Sequence, residues 1–185
     1  MIAETLEDLK GNIAKAHEAL KRELAKIRTG RAHPSLLESI RVEAYGQQSP
    51  ISQMASIGVP EPRMLTIKPW DKSQIKVIEK AIVQSPLGLT PQNDGEIIRV
   101  PMPPLTEERR KEFVKLAKRS GEETKVAIRK ARHEAKDMID TLVKDKDVGE
   151  DEGDRALEKV EELIQKGVAE VDAMVSRKEK DILEV

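Results

Sequence analysis

The 185-residue sequence contains no cysteine and only one tryptophan, one tyrosine and one phenylalanine. The lack of cysteine excludes disulfides, thiolate metal ligands and cysteine nucleophiles. Aromatic residues make up 2% of the chain and charged residues 36%. A composition this charged and this poor in aromatic residues favours long helices over the compact core of an enzyme.

Long apolar runs are also missing from the sequence. No stretch approaches the ~20 apolar residues that a membrane-spanning helix needs. The first ten residues, MIAETLEDLK, contain neither the basic region nor the apolar region of a signal peptide. We therefore expect a soluble, cytoplasmic protein without a membrane partner.

No catalytic or metal-binding motif is complete. His17 and His133 are each followed by glutamate, as in the HExxH zinc motif, but Lys21 and Asp137 stand where the second histidine is needed. Both histidines are expected on helix surfaces. Residues 145–156, DKDVGEDEGDRA, lack the central glycine and the final glutamate of a calcium loop. A glycine-rich phosphate loop is absent as well, so we predict no enzyme activity, no metal and no cofactor.

The segment from Thr106 to about Lys144 carries two stripes of residues. Small and apolar residues recur at steps of three or four, the period of one buried helix face: Phe113, Ala117, Ser120, Thr124, Ala127, Ala131, Ala135, Met138 and Leu142. Basic residues follow a similar spacing on a second face, interrupted by Glu122: Lys111, Lys115, Lys118, Lys125, Arg129, Arg132 and Lys136. At ~1.5 Å per residue such a helix would be about 58 Å long.

The net charge of −1 conceals an uneven distribution of charge. Residues 106–136 contain 11 basic and 6 acidic side chains, whereas residues 145–185 contain 7 basic and 14 acidic side chains. A long helix with one packed seam and one cationic edge is suited to a polyanion, because local charge governs the encounter. The alternative is that the basic stripe is an ordinary solvated face.

Two further segments repeat the helical pattern, one from about Ile2 to Arg28 and the other from about Asp154 to Leu183. The inner face expected for the first is Ile2, Leu6, Leu9, Ile13, Ala16, Leu20, Leu24 and Ile27. The acidic turn DKDVGEDEGD before the last segment is too short for anything but an antiparallel reversal. Three amphipathic helices with narrow seams predict an elongated antiparallel three-helix bundle, formed by residues 1–29 and 106–185.

Residues 31–104 differ from the flanking helices because they contain all ten prolines of the chain. A helix is expected over Asp71–Gln84 with Asp71 as its cap, and Asn93-Asp94-Gly95 signals a tight turn. Strand-like runs lie at Ser39–Tyr45, Ala55–Val59, Met64–Pro69 and Ile97–Met102. The sequence thus predicts the α+β class, with a small β/α/β domain inserted into the bundle.

The chain would cross between the two domains twice, near 29–34 and near 102–106. Two short connections side by side permit bending about one axis and resist free rotation. We therefore expect a hinge, with a rigid corner as the alternative. The residues that mark the crossings are Gly30, Pro34, Pro103 and Pro104.

Several uncommon strings occur along the chain in a fixed order. They are KIRTGRAHPSLL (26–37), ASIGVPEPRMLTIKPWDKS (55–73), SPLGLTPQNDGEIIRVPMPPLTEERR (85–110), KVAIRKARHEAKD (125–137) and the C-terminal SRKEKDILEV. In these strings, and over essentially its whole length, the chain resembles bacterial ribosome recycling factor.

The resemblance implies an L-shaped molecule, in which two short strands join a three-helix bundle to a small β/α/β domain. It also implies a role after translation termination. The factor would bind between the ribosomal subunits, mainly to large-subunit ribosomal RNA, and would act with elongation factor G. GTP hydrolysis by that partner would drive the subunits apart, so the factor itself is expected to be a monomeric, non-enzymatic lever.

The resemblance also designates residues for ribosomal RNA contact. A guanidinium can bind phosphate through two parallel hydrogen bonds and can stack on an exposed base. The arginines in matching strings are Arg28 and Arg31 in RTGR, Arg110 in TEERR, and Arg129 and Arg132 in VAIRKAR. Possible additional contacts are the stripe residues Lys111, Lys115, Lys118, Lys125 and Lys136. Because aromatic residues are scarce, binding should be mostly ionic and sensitive to salt.

A coiled-coil adaptor or chaperone is the competing interpretation, since a helical bundle can also hold protein partners. Such a protein should expose apolar residues along a groove, and it should tolerate the combined loss of Arg129 and Arg132. An enzyme is the weakest of the three alternatives.

Overall fold

The computed structural model describes residues 1–184, which fold into two compact units. One unit consists of residues 1–28 and 107–183, and the other of residues 29–106 together with Glu184. The first unit is a helical bundle and the second is mixed α/β, so the predicted α+β class is confirmed.

Residues 1–184 contain four α-helices: α1 (Ile2–Lys26), α2 (Ile75–Gln84), α3 (Glu107–Lys144) and α4 (Glu150–Leu183). The bundle is built from α1, α3 and α4. Across the described part of the chain, none of the helices is both long enough and apolar enough to span a membrane.

The reversal between α3 and α4 is shorter than the sequence predicts. The last helix was expected from about Asp154 but begins at Glu150. Three acidic residues of the expected turn, Glu150, Asp151 and Glu152, lie in the first turn of α4, where the partial positive charge of the helix N-terminus stabilises them. At the other side of the loop, Lys146 has a positive φ of 62°, and the Asp147 amide donates to the Leu142 carbonyl at 3.0 Å.

The core of the bundle confirms the inner face predicted for α1 and corrects the one predicted for α3. In α3, Ala127 and Met138 are exposed, although the stripe places them inside. Ile128 and Ile139 are instead fully buried. Of the small residues predicted inside, Ala117, Ala131 and Ala135 are buried. The fully buried large side chains of the bundle are Leu9, Leu20, Ile128, Ile139 and Ile182.

Glycines mark the places where the helices of the bundle approach most closely. A Cβ atom added to Gly121 of α3 would lie 2.6 Å from Cγ2 of Val175 in α4. One added to Gly167 of α4 would lie 3.0 Å from Cγ2 of Ile13 in α1. His17 is half-buried at the same contact, with its Nε2 atom 2.9 Å from the Gly167 carbonyl oxygen. The expectation that His17 is a surface residue is therefore wrong, because it bridges α1 and α4.

The α/β unit contains two antiparallel sheets. The strands are β1 (Arg41–Ala44), β2 (Gln47–Pro50), β3 (Ala55–Glu61), β4 (Met64–Pro69), β5 (Gln92–Asn93) and β6 (Ile98–Pro101). The first two form a hairpin, and the others form a sheet in the order β3-β4-β6-β5. The sequence missed β2 and β5 because neither alternates apolar and polar residues. Tyr45 and Gly46, with φ values of 52° and 74°, make the two-residue turn of the β1–β2 hairpin.

The tight turn predicted in this unit is confirmed, and the helix predicted over Asp71–Gln84 is an α-helix from Ile75 onward. The Asp71 carboxylate accepts a hydrogen bond from the Ser73 amide at 3.0 Å, at the start of a short 3-10 turn that leads into α2. The Asp94 amide donates to the Ile97 carbonyl at 3.2 Å, between β5 and β6. The core beneath α2 contains the fully buried side chains Leu37, Ile51, Leu65, Ile67, Ile78, Ile82 and Ile98.

Replacement of Gly121 by alanine tests the close approach of α3 and α4. Alanine favours a helix by about 1 kcal/mol over glycine, but its methyl group would collide with Val175. Since overpacking costs about 1–3 kcal/mol, we expect a lower midpoint in thermal unfolding.

Gly11 provides the matched control, because it lies on an exposed part of α1 and an added Cβ would meet no atom within 4 Å. Gly11→Ala should raise the unfolding midpoint. A Gly121→Ala variant that is stabilised as much as Gly11→Ala would contradict the close packing.

Candidate nucleic-acid interface

The basic residues of α3 separate into two rows, each with steps of seven residues or multiples of seven. We call Lys118, Lys125 and Arg132 the paired row, and Lys115, Arg129 and Lys136 the outer row. Because seven residues are close to two helical turns, the members of a row lie nearly above one another. The two rows differ in what surrounds them.

The paired row faces acidic residues of α4. Arg132 donates from Nε and Nη2 to Glu161 Oε1, at 2.7 and 2.6 Å. Lys125 Nζ lies 2.6 Å from Asp172 Oδ1, and Lys118 Nζ lies 3.6 Å from Glu179 Oε1. As the residue number rises along α3 it falls along α4, as expected for antiparallel helices. The acidic excess of residues 145–185 thus partly serves to pair with the cations of α3.

Lys125 is the most enclosed member of the paired row. Its side chain is 21% exposed, and it has a second carboxylate, Glu122 Oε1, at 3.4 Å. The hydrogen bond with Asp172 raises the pKa of Lys125 above its usual value of 10.5. Lys125 therefore stays charged throughout the neutral range.

The outer row is exposed, and its three members have no carboxylate within ion-pair distance in the part of the chain that the structure describes. Arg129 makes one hydrogen bond, from Nε to the Lys125 carbonyl of its own helix at 3.3 Å. Its guanidinium therefore keeps most of its donors for another molecule. A row of unneutralised cations along a rigid helix can follow the phosphates of a nucleic-acid backbone.

The other predicted contacts lie near the ends of α1 and α3. Arg110 is half-buried, and Lys111 Nζ pairs with Glu107 Oε1 at 2.8 Å. Arg28 is half-buried just after α1. Arg31 is exposed and forms an ion pair with Glu184.

The two connections between the units are anchored on the side of the α/β unit. The Ala32 amide donates to the Pro62 carbonyl at 2.6 Å, and the Met102 amide donates to the Arg63 carbonyl at 2.7 Å. Pro34 opens the 3-10 turn Pro34–Leu37 inside this unit. These two hydrogen bonds do not involve residues 29–31 of the first connection or residues 103–106 of the second. The second of these segments includes Pro103 and Pro104.

Residues 1–184 contain no group of three or more His, Asp or Glu side chains placed to hold a metal ion. The division of the basic stripe into two rows was missed in the sequence. A signal for it was present, because Glu161, Asp172 and Glu179 stand at helical spacing in the antiparallel partner. Aligning the sequences of α3 and α4 in antiparallel order would have shown which cations of α3 lie opposite carboxylates of α4.

The protein is therefore of a two-domain class. Its helical bundle carries a row of exposed cations, and a small α/β domain is inserted after the first helix. The sequence profile of the family described as Ribosome recycling factor matches residues 20–183. The chain belongs to the ribosome recycling factor family.

Curated relatives support this assignment over the full length. The chain is 55% identical over 185 residues to the ribosome-recycling factor of Sorangium cellulosum, covering 100% of both chains. It is 54% identical over 180 residues to that of Brevibacillus brevis, covering 97% of both chains.

Solved structures lead to the same family. A solution structure of ribosome recycling factor is 41% identical, with a TM-score of 0.75 over 100% of this chain and 98% of the other. A second structure contains the T. thermophilus ribosome recycling factor and E. coli elongation factor G bound to the E. coli post-termination complex. Its recycling factor is 40% identical, with a TM-score of 0.67 over 100% of both chains.

Mutation of the Arg132–Glu161 pair should have little effect on stability. Both side chains are nearly half exposed, at 46% and 47%, and exposed ion pairs contribute about 0.2–1 kcal/mol. In a double-mutant cycle of Arg132→Ala and Glu161→Ala, followed by urea unfolding, we expect a coupling energy in that range. Arg129→Ala should change the free energy of unfolding by less than about 0.5 kcal/mol. A coupling energy above ~2 kcal/mol would mean that Arg132 is held for structural reasons.

Proposed function

We propose that this protein recycles ribosomes after translation termination. It binds the post-termination ribosome through large-subunit ribosomal RNA, and elongation factor G, by hydrolysing GTP, supplies the energy that separates the subunits. Full-length membership of the recycling factor family supports this assignment. A relative that is 40% identical occurs in a structure with elongation factor G on a post-termination complex.

The outer row of α3 is the observation that supports RNA binding most strongly. Lys115, Arg129 and Lys136 can bind phosphates without first losing a carboxylate partner. Lysine and arginine that bind phosphates release condensed counterions, so the affinity should fall steeply as salt rises.

Arg132 contributes by exchanging partners. Its pair with Glu161 is half exposed, so replacing the carboxylate with a phosphate costs little. Until the exchange, Glu161 holds the guanidinium extended from α3 toward α4. This preorganisation reduces the entropy that binding would otherwise cost.

The protein acts in the cytoplasm as a monomeric lever and not as an enzyme, and the chemistry is that of the GTPase partner. The two connections between the units act as a hinge. Hydrogen bonds from Ala32 and Met102 to the β3–β4 turn fix the ends of the two connections that adjoin the α/β unit. Bending is therefore confined to residues 29–31 and 103–106. Gly30 is the most adaptable of these residues because it lacks a side chain.

The alternative hypothesis, that the protein is an adaptor or a chaperone, has less support. The large apolar side chains exposed on α3, which are Leu116, Val126 and Met138, are separated by ten or more residues. Apolar residues scattered in this way are normal on protein surfaces and do not form a binding groove.

Subunit separation provides the direct test of the proposed function. Post-termination ribosomes are mixed with this protein, elongation factor G and GTP, and are then sedimented through sucrose. We expect free subunits only when all three components are present. Arg129→Ala and Arg132→Gly should each weaken apparent affinity by about tenfold, or ~1.4 kcal/mol.

Arg119→Ala is the matched control for these variants. Arg119 lies on α3 too and is exposed, but it belongs to neither row and, unlike the outer row, it already has a carboxylate partner, Glu123 at 3.1 Å. It should split ribosomes like the wild type. Intact ribosomes with the wild type, or equal losses in all three variants, would contradict the proposal.

The hinge can be tested separately with Gly30→Pro. Proline fixes φ and removes the bending freedom of the first connection. Ribosome binding, measured by co-sedimentation, should be retained, while subunit separation should be strongly reduced. Gly11→Ala, which changes a glycine far along α1, serves as the control. Full separation by Gly30→Pro would exclude bending at this residue.

A further inference from the structure

A groove in the α/β unit lies between α2 and the β1–β2 hairpin. Its volume is about 740 Å³, large enough for a peptide segment. One wall is a face of α2 that presents Lys76, Val77, Lys80 and Ala81 on successive turns, and the other wall includes Arg41 of β1. The groove lies entirely within one unit and is distinct from the rows of α3.

The charge of the groove is predominantly positive and is not neutralised. Arg41, Lys76 and Lys80 are exposed and have no ion-pair partner among residues 1–184. Glu43 is the single carboxylate among the residues that line the groove. Two other basic residues of the same unit do have partners: Lys72 pairs with Glu96 at 2.7 Å, and Arg99 pairs with Asp94 at 2.9 Å.

The groove also has apolar side chains between its cations, together with four uncharged polar residues, Ser39, Gln48, Gln84 and Ser85. Ile40, Val77, Ala81 and Pro86 line the groove, and Val77 is 36% exposed. No aromatic side chain lines it, so the groove offers bases nothing on which to stack. An RNA backbone would use the cations but would leave the aliphatic surface in water. An occupant with acidic and apolar residues on adjacent faces would satisfy both features.

We propose that this groove binds an acidic amphipathic helix of a partner protein. Lys76 and Lys80 are one helical turn apart, so they match carboxylates spaced one turn apart on the occupant. Its apolar face covers Val77 and Ala81, in the manner of other helix-in-groove complexes. Arg41 binds a further carboxylate from the opposite wall. This inference goes beyond ribosome recycling and does not depend on the contacts of α3 with RNA.

The test is a titration of the full-length, isotopically labelled protein, followed by amide chemical shifts. The probe is a helical peptide of about 18 residues, or five turns, with Glu and Leu on adjacent faces. A scrambled peptide of the same composition is the control ligand. We expect shifts centred on Val77, Ala81 and Ile40 with the amphipathic peptide, and binding at least tenfold weaker with the scrambled one.

Variants distinguish specific binding from general charge attraction. Lys80→Glu should weaken binding by about tenfold, whereas Lys80→Arg should retain it. Lys68→Glu is the matched control, because Lys68 is exposed on β4 of the same unit and lies outside the groove. Equal losses for Lys68→Glu and Lys80→Glu would overturn the proposal, as would shifts outside the groove. Tighter binding of polyuridylate at the same residues would assign the groove to RNA instead.

Discussion

The packing of α3 against α4 determines which face of each helix is covered and which is exposed. Gly121 allows the two backbones to approach at Val175, and the paired row places three cations of α3 opposite carboxylates of α4. These contacts fix the rotation of α3 about its own axis. With that rotation fixed, the outer row must face away from the bundle. Packing at the seam therefore decides which basic residues are neutralised within the protein and which remain for a partner.

The division of charge has consequences for affinity. Ion pairs between half-exposed side chains contribute little to stability. The acidic residues of α4 therefore act mainly to fix the side chains of the paired row and to neutralise their charge. In the proposed interaction, the unmasked row would supply long-range attraction to a polyanion, independent of base sequence and weakened by salt. The shortage of aromatic residues suits this mode of binding, because phosphate contacts require no stacking. In the α/β unit, by contrast, cations flank a groove that also has apolar side chains, and that combination suits a protein partner.

Much of the fold could be predicted because the sequence pattern and the packing agree. The inner face of α1 and the capping of the α2 region by Asp71 follow from local rules that tertiary contacts leave unchanged. The inner face of α3 was predicted less well. It packs against two helices, and its small residues made the stripe too broad to locate Ile128 at the centre. The β1–β2 hairpin was missed because its turn is Tyr45-Gly46, and not one of the common asparagine–glycine pairs. The division of the basic stripe into two rows could not be predicted from the α3 segment alone. It depends on residues of α4 that are about 30 to 60 positions away in the sequence.

Because the chain contains no cysteine, a probe can be attached at a single introduced cysteine. Such a probe can test whether the face of α3 that carries the outer row lies against ribosomal RNA. A single cysteine is introduced by Glu122→Cys, within the line of the outer row, or by Glu162→Cys on the exposed surface of α4. Both changes remove one glutamate, and neither removes a basic residue. Iron tethered to each cysteine generates hydroxyl radicals on post-termination ribosomes. We expect strong cleavage of large-subunit ribosomal RNA from position 122 and much weaker cleavage from position 162. Cleavage from position 162 alone, with both variants bound, would contradict this expectation.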